Sequence, residues 1–99
     1  MADRSLRVVA RITARPDSVD EVRRLLAGLI EPTRKEQGCI TYELLQNRHD
    51  PTDYTFVEEW DCDASLDAHL ASDHLTRALP DLQRLVAAPP DIRRYAVVG

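Results

Sequence analysis

Hydrophobic and polar positions alternate strictly over residues 6–14: Leu6, Val8, Ala10, Ile12 and Ala14 fall on one side and Arg7, Val9, Arg11 and Thr13 on the other. That period of two is the signature of a half-buried strand. Pro16 and Asp17 break it, and Ser18 followed by Glu21 matches a capping box that opens a helix. Val22, Leu25, Leu26, Leu29 and Ile30 then recur at helical spacing and define its buried stripe. Pro32 lies inside the pattern, so the segment to Glu36 either continues bent or restarts, and Gly38 is the natural stop. A second alternation from Cys39 sets Ile40, Tyr42 and Leu44 against Thr41, Glu43 and Leu45. After the turn-rich residues 49–53, residues 54–60 read as a third strand paired with the second as a hairpin, with Tyr54, Phe56, Glu58 and Trp60 on one face.

Asp63 or Ser65 caps a helix carrying Leu66, His69 and Leu70; Asp73 caps a further stretch with Leu75, Ala78 and Leu79, which Leu82, Leu85 and Val86 extend past Pro80. The helical region is expected to be broken. Pro89 and Pro90 end it, and Ile92, Arg94, Ala96 and Val98 alternate with Arg93, Tyr95 and Val97 as a last strand. The order βαββαβ is the ferredoxin-like α+β arrangement, in which helices cover one face of a four-stranded antiparallel sheet. Val9, Leu45 and Val57 make the other face too apolar for open water, so a homodimer packed sheet against sheet is expected.

Length and composition narrow the classes. Ninety-nine residues make one domain, 1–99, and 43% hydrophobic with 30% charged residues is a globular balance. No apolar run approaches the roughly 20 residues of a bilayer span. The stretch Met1-Ala2-Asp3-Arg4-Ser5 lacks the apolar region of a secretory signal, which suggests a cytoplasmic protein with no membrane partner. The net charge of −4 with scattered cations, twelve Arg and Lys35, argues against nucleic acid. Cys39 and Cys62 have neither metal-ligand nor disulfide-framework spacing and read as small, unreactive thiols. His69 and His74 are five apart, about 140° around a continuous helix, so they would not share a face as metal ligands do, and no metal site is expected. Nucleotide-cradle and nucleophile-elbow motifs are absent, and no cofactor-binding motif is visible.

What remains is acid/base chemistry. Glu58 shares a strand face with Phe56 and Trp60; it is either a carboxylate in apolar surroundings, suited to proton transfer or to holding a histidine, or a strand-end Glu paired with an Arg. His69 follows Leu66 on the core-facing stripe, as a satisfied core histidine or as a base near neutral pH. His74 follows a helix cap, and Tyr42 belongs to the hairpin face.

The segments Glu36-Gln37-Gly38-Cys39-Ile40-Thr41-Tyr42, Val57-Glu58-Glu59-Trp60 and Leu66-Asp67-Ala68-His69-Leu70-Ala71-Ser72-Asp73-His74 resemble the antibiotic biosynthesis monooxygenase family over almost the whole chain. That resemblance implies a ferredoxin-like homodimer, a dimeric α/β-barrel, with a pocket between helices and sheet in each subunit. It also implies oxygenation of hydroquinones or polyphenols by O₂ without metal, flavin or haem. His69 would be the base or orienting donor with Glu58 supporting it, and Trp60, His74, Tyr42 and Phe56 would line the pocket. Haem-degrading relatives carry an axial His where Leu79 stands here and an Asn on strand one, whereas Asn47 of strand two is the only Asn, which argues against haem. Other relatives isomerise phosphorylated signalling molecules. A non-catalytic ligand-binding or stress-response module, with His69 and Glu58 as a polar pair tying helix to sheet, is the competing class.

Overall fold

The computed structural model describes residues 5–99; residues 1–4, part of the segment inspected above for leader features, lie outside the described residues. The element order is β1 (Leu6–Thr13), α1 (Val19–Ala27), α2 (Ile30–Arg34), β2 (Cys39–Gln46), β3 (Asp53–Trp60), α3 (Asp63–Leu70), α4 (Asp73–Leu85) and β4 (Asp91–Tyr95). All strand pairs are antiparallel, in the spatial order β2-β3-β1-β4. This is the expected ferredoxin-like α+β fold. Among the described residues no helix is long and apolar enough to cross a membrane.

The period of two decides which side chains the sheet buries. Val8, Ala10 and Ile12 of β1 and Tyr54, Phe56 and Trp60 of β3 point under the helices and meet Val22 and Leu26 of α1, Leu66 of α3, and Ala78 and Leu85 of α4. Every one of these is buried. On the opposite face Val9 pairs across to Val57, and Leu45, Val57 and Tyr95 are exposed.

Local chemistry departs from the sequence pattern in five places. Ser18 is the N-cap of α1 but makes no side-chain capping bond, because its hydroxyl turns to the Asp17 carboxylate, 3.2 Å away; the capping box does not form. The helix does not continue bent through Pro32. It stops at Gly28 and restarts as α2, where Pro32 sits in the first turn, a position that needs no N–H. A β-bulge between Cys39 and Thr41 shifts the register of β2 and leaves Ile40 exposed instead of beside Tyr42. The helical region is broken as expected, between Leu70 and Asp73, and α4 runs on through Pro80, but Ser72 rather than Asp73 is the N-cap and accepts from the Leu75 N–H. Finally, β4 ends at Tyr95, so Ala96 and Val98 lie beyond the strand.

Candidate active site

Between the sheet and the pair α3/α4 the core is incompletely filled, leaving a cavity of about 200 Å³. Its sheet wall is Ala10, Ile12, Tyr42, Phe56, Glu58 and Ile92, and most of its helix wall is aliphatic, from Leu26, Leu29, Leu66, Leu75, Ala78 and Leu82. Leu70, Leu79 and Ile92 are partly exposed and stand at its rim. Among the described residues the lining carries two ionisable groups besides Tyr42, namely His69 and Glu58, and no Arg or Lys.

Glu58 is 4% exposed at the inner wall. The β3 pleat that buries Phe56 and Trp60 carries Glu58 in with them. The Trp60 indole N–H two residues on donates to its Oε1 at 2.8 Å, and Oε2 has no hydrogen-bond partner among the described residues. Burial pushes this carboxyl up from 4.5 to about 7; the Trp60 bond opposes the rise and the Glu36 carboxylate adds to it. Glu58 can therefore hold or release a proton near neutrality.

His69, 2% exposed, arrives from the last turn of α3. Its Nδ1 lies 2.6 Å from Glu36 Oε2, and that carboxylate oxygen is also 3.0 Å from His74 Nε2. With Nδ1–H donating to a carboxylate, the proton-free nitrogen of the neutral ring is Nε2, which has no hydrogen-bond partner among the described residues, on a ring that lines the cavity. Burial holds the imidazole below its ordinary pKa of 6.5, with the Glu36 hydrogen bond pulling the other way. Tyr42 and Trp60 fix the ring in plane, with centroids 5.5 Å and 4.8 Å from His69. Tyr42 is itself stacked on Phe56 at 4.5 Å, and burial raises its phenol far above the ordinary value, so it serves as a neutral wall and hydrogen-bond donor.

The partner of His69 is thus Glu36 and not Glu58, a correction to the sequence expectation. Glu36 lies between α2 and β2, and several local contacts set its position. Its N–H donates to the Thr33 carbonyl at 3.0 Å, Arg34 donates twice to the Tyr42 carbonyl, and Gly38 adopts φ +87° while its carbonyl accepts from the Asp61 N–H. A Cβ at Gly38 would collide with Ser65 and Asp61, so the tight approach of this loop to the start of α3 requires glycine. The only advance signal for Glu36 was its place in the Glu36-Gln37-Gly38 segment; its contacts reach 33 and 38 residues along the chain, which no local periodicity reports.

Of the other expected site residues, Tyr42 and Phe56 line the cavity, whereas Trp60 is wholly buried behind Glu58. His74 stands outside the cavity walls on the far side of Glu36, with Thr33 Oγ1 and Ser72 Oγ each 3.3 Å from its Nε2. The break before α4 also cancels the 140° offset of a continuous helix and brings His69 and His74 together, with ring centroids 6.0 Å apart. Glu36, His69 and His74 present ligand-capable atoms within 4.8 Å of one another. Cys39 is half-buried, with its thiol pushed up chiefly by burial, as fits an unreactive thiol.

An apolar chamber with a carboxylate-oriented imidazole and a near-neutral carboxyl, built into a ferredoxin-like sheet, is an arrangement that can hold a small apolar molecule and exchange protons with it. The model of the family "Antibiotic biosynthesis monooxygenase" matches residues 5–80. A protein of Synechocystis, named as uncharacterized, is 30% identical over 97% of this chain, which spans 65% of that protein's length. A provisionally named monooxygenase of Mycobacterium tuberculosis is 33% identical over 83% of this chain and 80% of its own. A solved antibiotic biosynthesis monooxygenase superposes with a TM-score of 0.89 at 33% identity, covering 95% of this chain and 99% of the other. The chain belongs to the antibiotic biosynthesis monooxygenase family, and its relatives support a monooxygenase-like role.

Proposed function

We propose that the protein is a cofactor-independent monooxygenase that oxidises a small, uncharged, electron-rich phenol or hydroquinone with O₂. The observation that carries this reading is the free Nε2 of His69, opposite the Glu36-held Nδ1, on the wall of an apolar cavity. His69 Nε2 removes the phenolic proton, and Glu36 stabilises the resulting imidazolium. The phenolate, electron-rich at its ring carbons ortho and para to oxygen, gives up two electrons to O₂ in forming a C–O bond at one of these that bears hydrogen, the ortho carbon in a hydroquinone, and His69 returns the proton to the peroxide. Loss of the ring C–H proton from that carbon with cleavage of the O–O bond yields the quinone and one water. One oxygen atom ends in product and one in water. Glu58, at the inner wall, is the group suited to shuttle the second proton, and the aliphatic lining excludes water from the peroxide.

Among the described residues the lining holds no Arg or Lys, which favours an uncharged ligand over a phosphorylated one, and so this reading over the isomerase alternative. The reading of His69 as part of a merely structural pair, in a non-catalytic binding module, is weakened by the unengaged nitrogen it leaves on the cavity. We further propose that a second copy covers the open sheet face through Val9, Leu45, Val57 and Tyr95.

The test is O₂ uptake by chelator-treated protein across a panel of hydroquinones and hydroxylated polycyclic aromatics, with folded His69→Ala beside wild type. Uptake above autoxidation that His69→Ala loses is expected. Uptake unchanged in His69→Ala, or absent across the panel, would overturn the proposal.

A further inference from the structure

Two histidines from different helices turn a nitrogen each toward one carboxylate oxygen: His69 Nδ1 at 2.6 Å and His74 Nε2 at 3.0 Å from Glu36 Oε2. The hydroxyls of Thr33 and Ser72, each 3.3 Å from His74 Nε2, complete an oxygen- and nitrogen-rich pocket. We propose that Glu36, His69 and His74 form a binding site for a divalent transition-metal cation, Zn²⁺ foremost, with Glu36 Oε2, His69 Nδ1 and His74 Nε2 as ligands.

Two imidazoles with one carboxylate are borderline donors that suit Zn²⁺ and its first-row neighbours, while Mg²⁺ and Ca²⁺ prefer all-oxygen sets. The three ligand atoms already lie within 4.8 Å of one another. Ligand atoms around a tetrahedral zinc stand about 3.3 Å apart, so the two contacts to Glu36 must lengthen by less than about 1 Å, and the two histidine nitrogens, no more than 4.8 Å apart, must close by up to about 1.5 Å. Glu36 and His74, both partly exposed, supply that movement. His74 is 23% exposed, and neither residue lines the cavity, so a cation enters from the solvent side and not through the chamber. The Thr33 and Ser72 hydroxyls are at hand to hydrogen-bond a water in the fourth position.

The consequence for catalysis rests on the reading of His69 as base: a cation on Nδ1 leaves the ring's one proton on Nε2, where the lone pair is needed, so the occupied site is an off-state. Binding itself does not depend on that reading. Its test is calorimetric titration of the intact, chelator-stripped protein with Zn²⁺, with Mg²⁺ as control, on wild type, His74→Ala and Glu36→Gln. Saturable binding of one Zn²⁺ per chain, no uptake of Mg²⁺, and at least about a tenfold loss of affinity in each variant are expected. Both substitutions fall at partly exposed side chains, and circular dichroism checks their fold. Trp60, the only tryptophan, has its ring centroid 4.8 Å from His69, so quenching of its fluorescence by Ni²⁺, reversed by Zn²⁺, locates the cation independently of turnover. Absence of saturable Zn²⁺ binding at micromolar concentration, or binding that neither substitution weakens, would overturn the proposal.

Discussion

Replacing Glu36 separates its two duties, holding a buried nitrogen and stabilising a cation. His69 is 2% exposed, so no bulk water replaces a lost partner at Nδ1, whereas His74 at 23% exposure can turn to solvent. In Glu36→Gln the amide oxygen still accepts from Nδ1–H, but a charge-assisted bond becomes a neutral one. Bonds to charged groups are worth about 1.5–3 kcal/mol and neutral ones about 0.5–1.5. A difference near 1–1.5 kcal/mol, applied to the imidazolium formed during turnover, slows the reaction by about 5- to 12-fold. Stability should fall by no more than about the same 1–1.5 kcal/mol. In Glu36→Ala the donor is left unsatisfied, at a cost of about 1–3 kcal/mol, read as about 4–8 °C of melting temperature per kcal/mol. The tautomer is also no longer fixed, so turnover should fall well below that of the Gln variant. The assay is initial O₂ uptake at saturating substrate, with thermal melts at one fixed protein concentration. A Gln variant as fast as wild type, or an Ala variant that loses stability but keeps full turnover, would refute the assignment of Glu36 as the residue that orients the base.

Other expectations follow from the same geometry. The Glu58 carboxyl is raised from 4.5 to about 7 on folding, so the folded state holds the proton over that interval and stability falls as pH rises through it, by about 3 kcal/mol in all. Glu58→Gln, which keeps an acceptor for Trp60, should therefore melt above wild type at pH 8 and lose that advantage at pH 5; an equal difference at both would count against the burial of the charge. Gly38→Ala meets both a φ of +87° and a collision with Ser65 and Asp61, so it should cost at least about 1–2 kcal/mol, and a melting curve matching wild type would show the loop free to move. At micromolar concentration the chain should sediment near twice its 11.2 kDa, and Val57→Lys, which sets a charge on the open sheet face, should return it to the monomer. A wild-type monomer would remove the sheet-to-sheet dimer.

Periodicity made the fold legible because the central strands β1 and β3 bury one face and each long helix one stripe, so Val8, Ala10 and Ile12, or Val22 and Leu26, declare their side without reference to the rest of the chain. Ile40 misled because a bulge adds a residue without a local hydrophobic mark. At the site, Glu58 and His69 were visible as polar residues on apolar faces. Glu36 was not, since a loop carboxylate acquires meaning only when α3 is folded against it. The separation of His69 and His74 was misjudged for a related reason: the angle held for a continuous helix, and the helix breaks at Ser72.

The central claim is that His69 Nε2 starts direct transfer of oxygen from O₂ to a phenol. It is tested most directly by running chelator-treated enzyme under ¹⁸O₂ with the best substrate from the uptake panel, wild type beside folded His69→Ala. One ¹⁸O atom in each quinone, the other in water, and loss of the labelled product in His69→Ala is the predicted result. Unlabelled quinone with hydrogen peroxide released in equal amount, or labelling that survives removal of the imidazole, would contradict it.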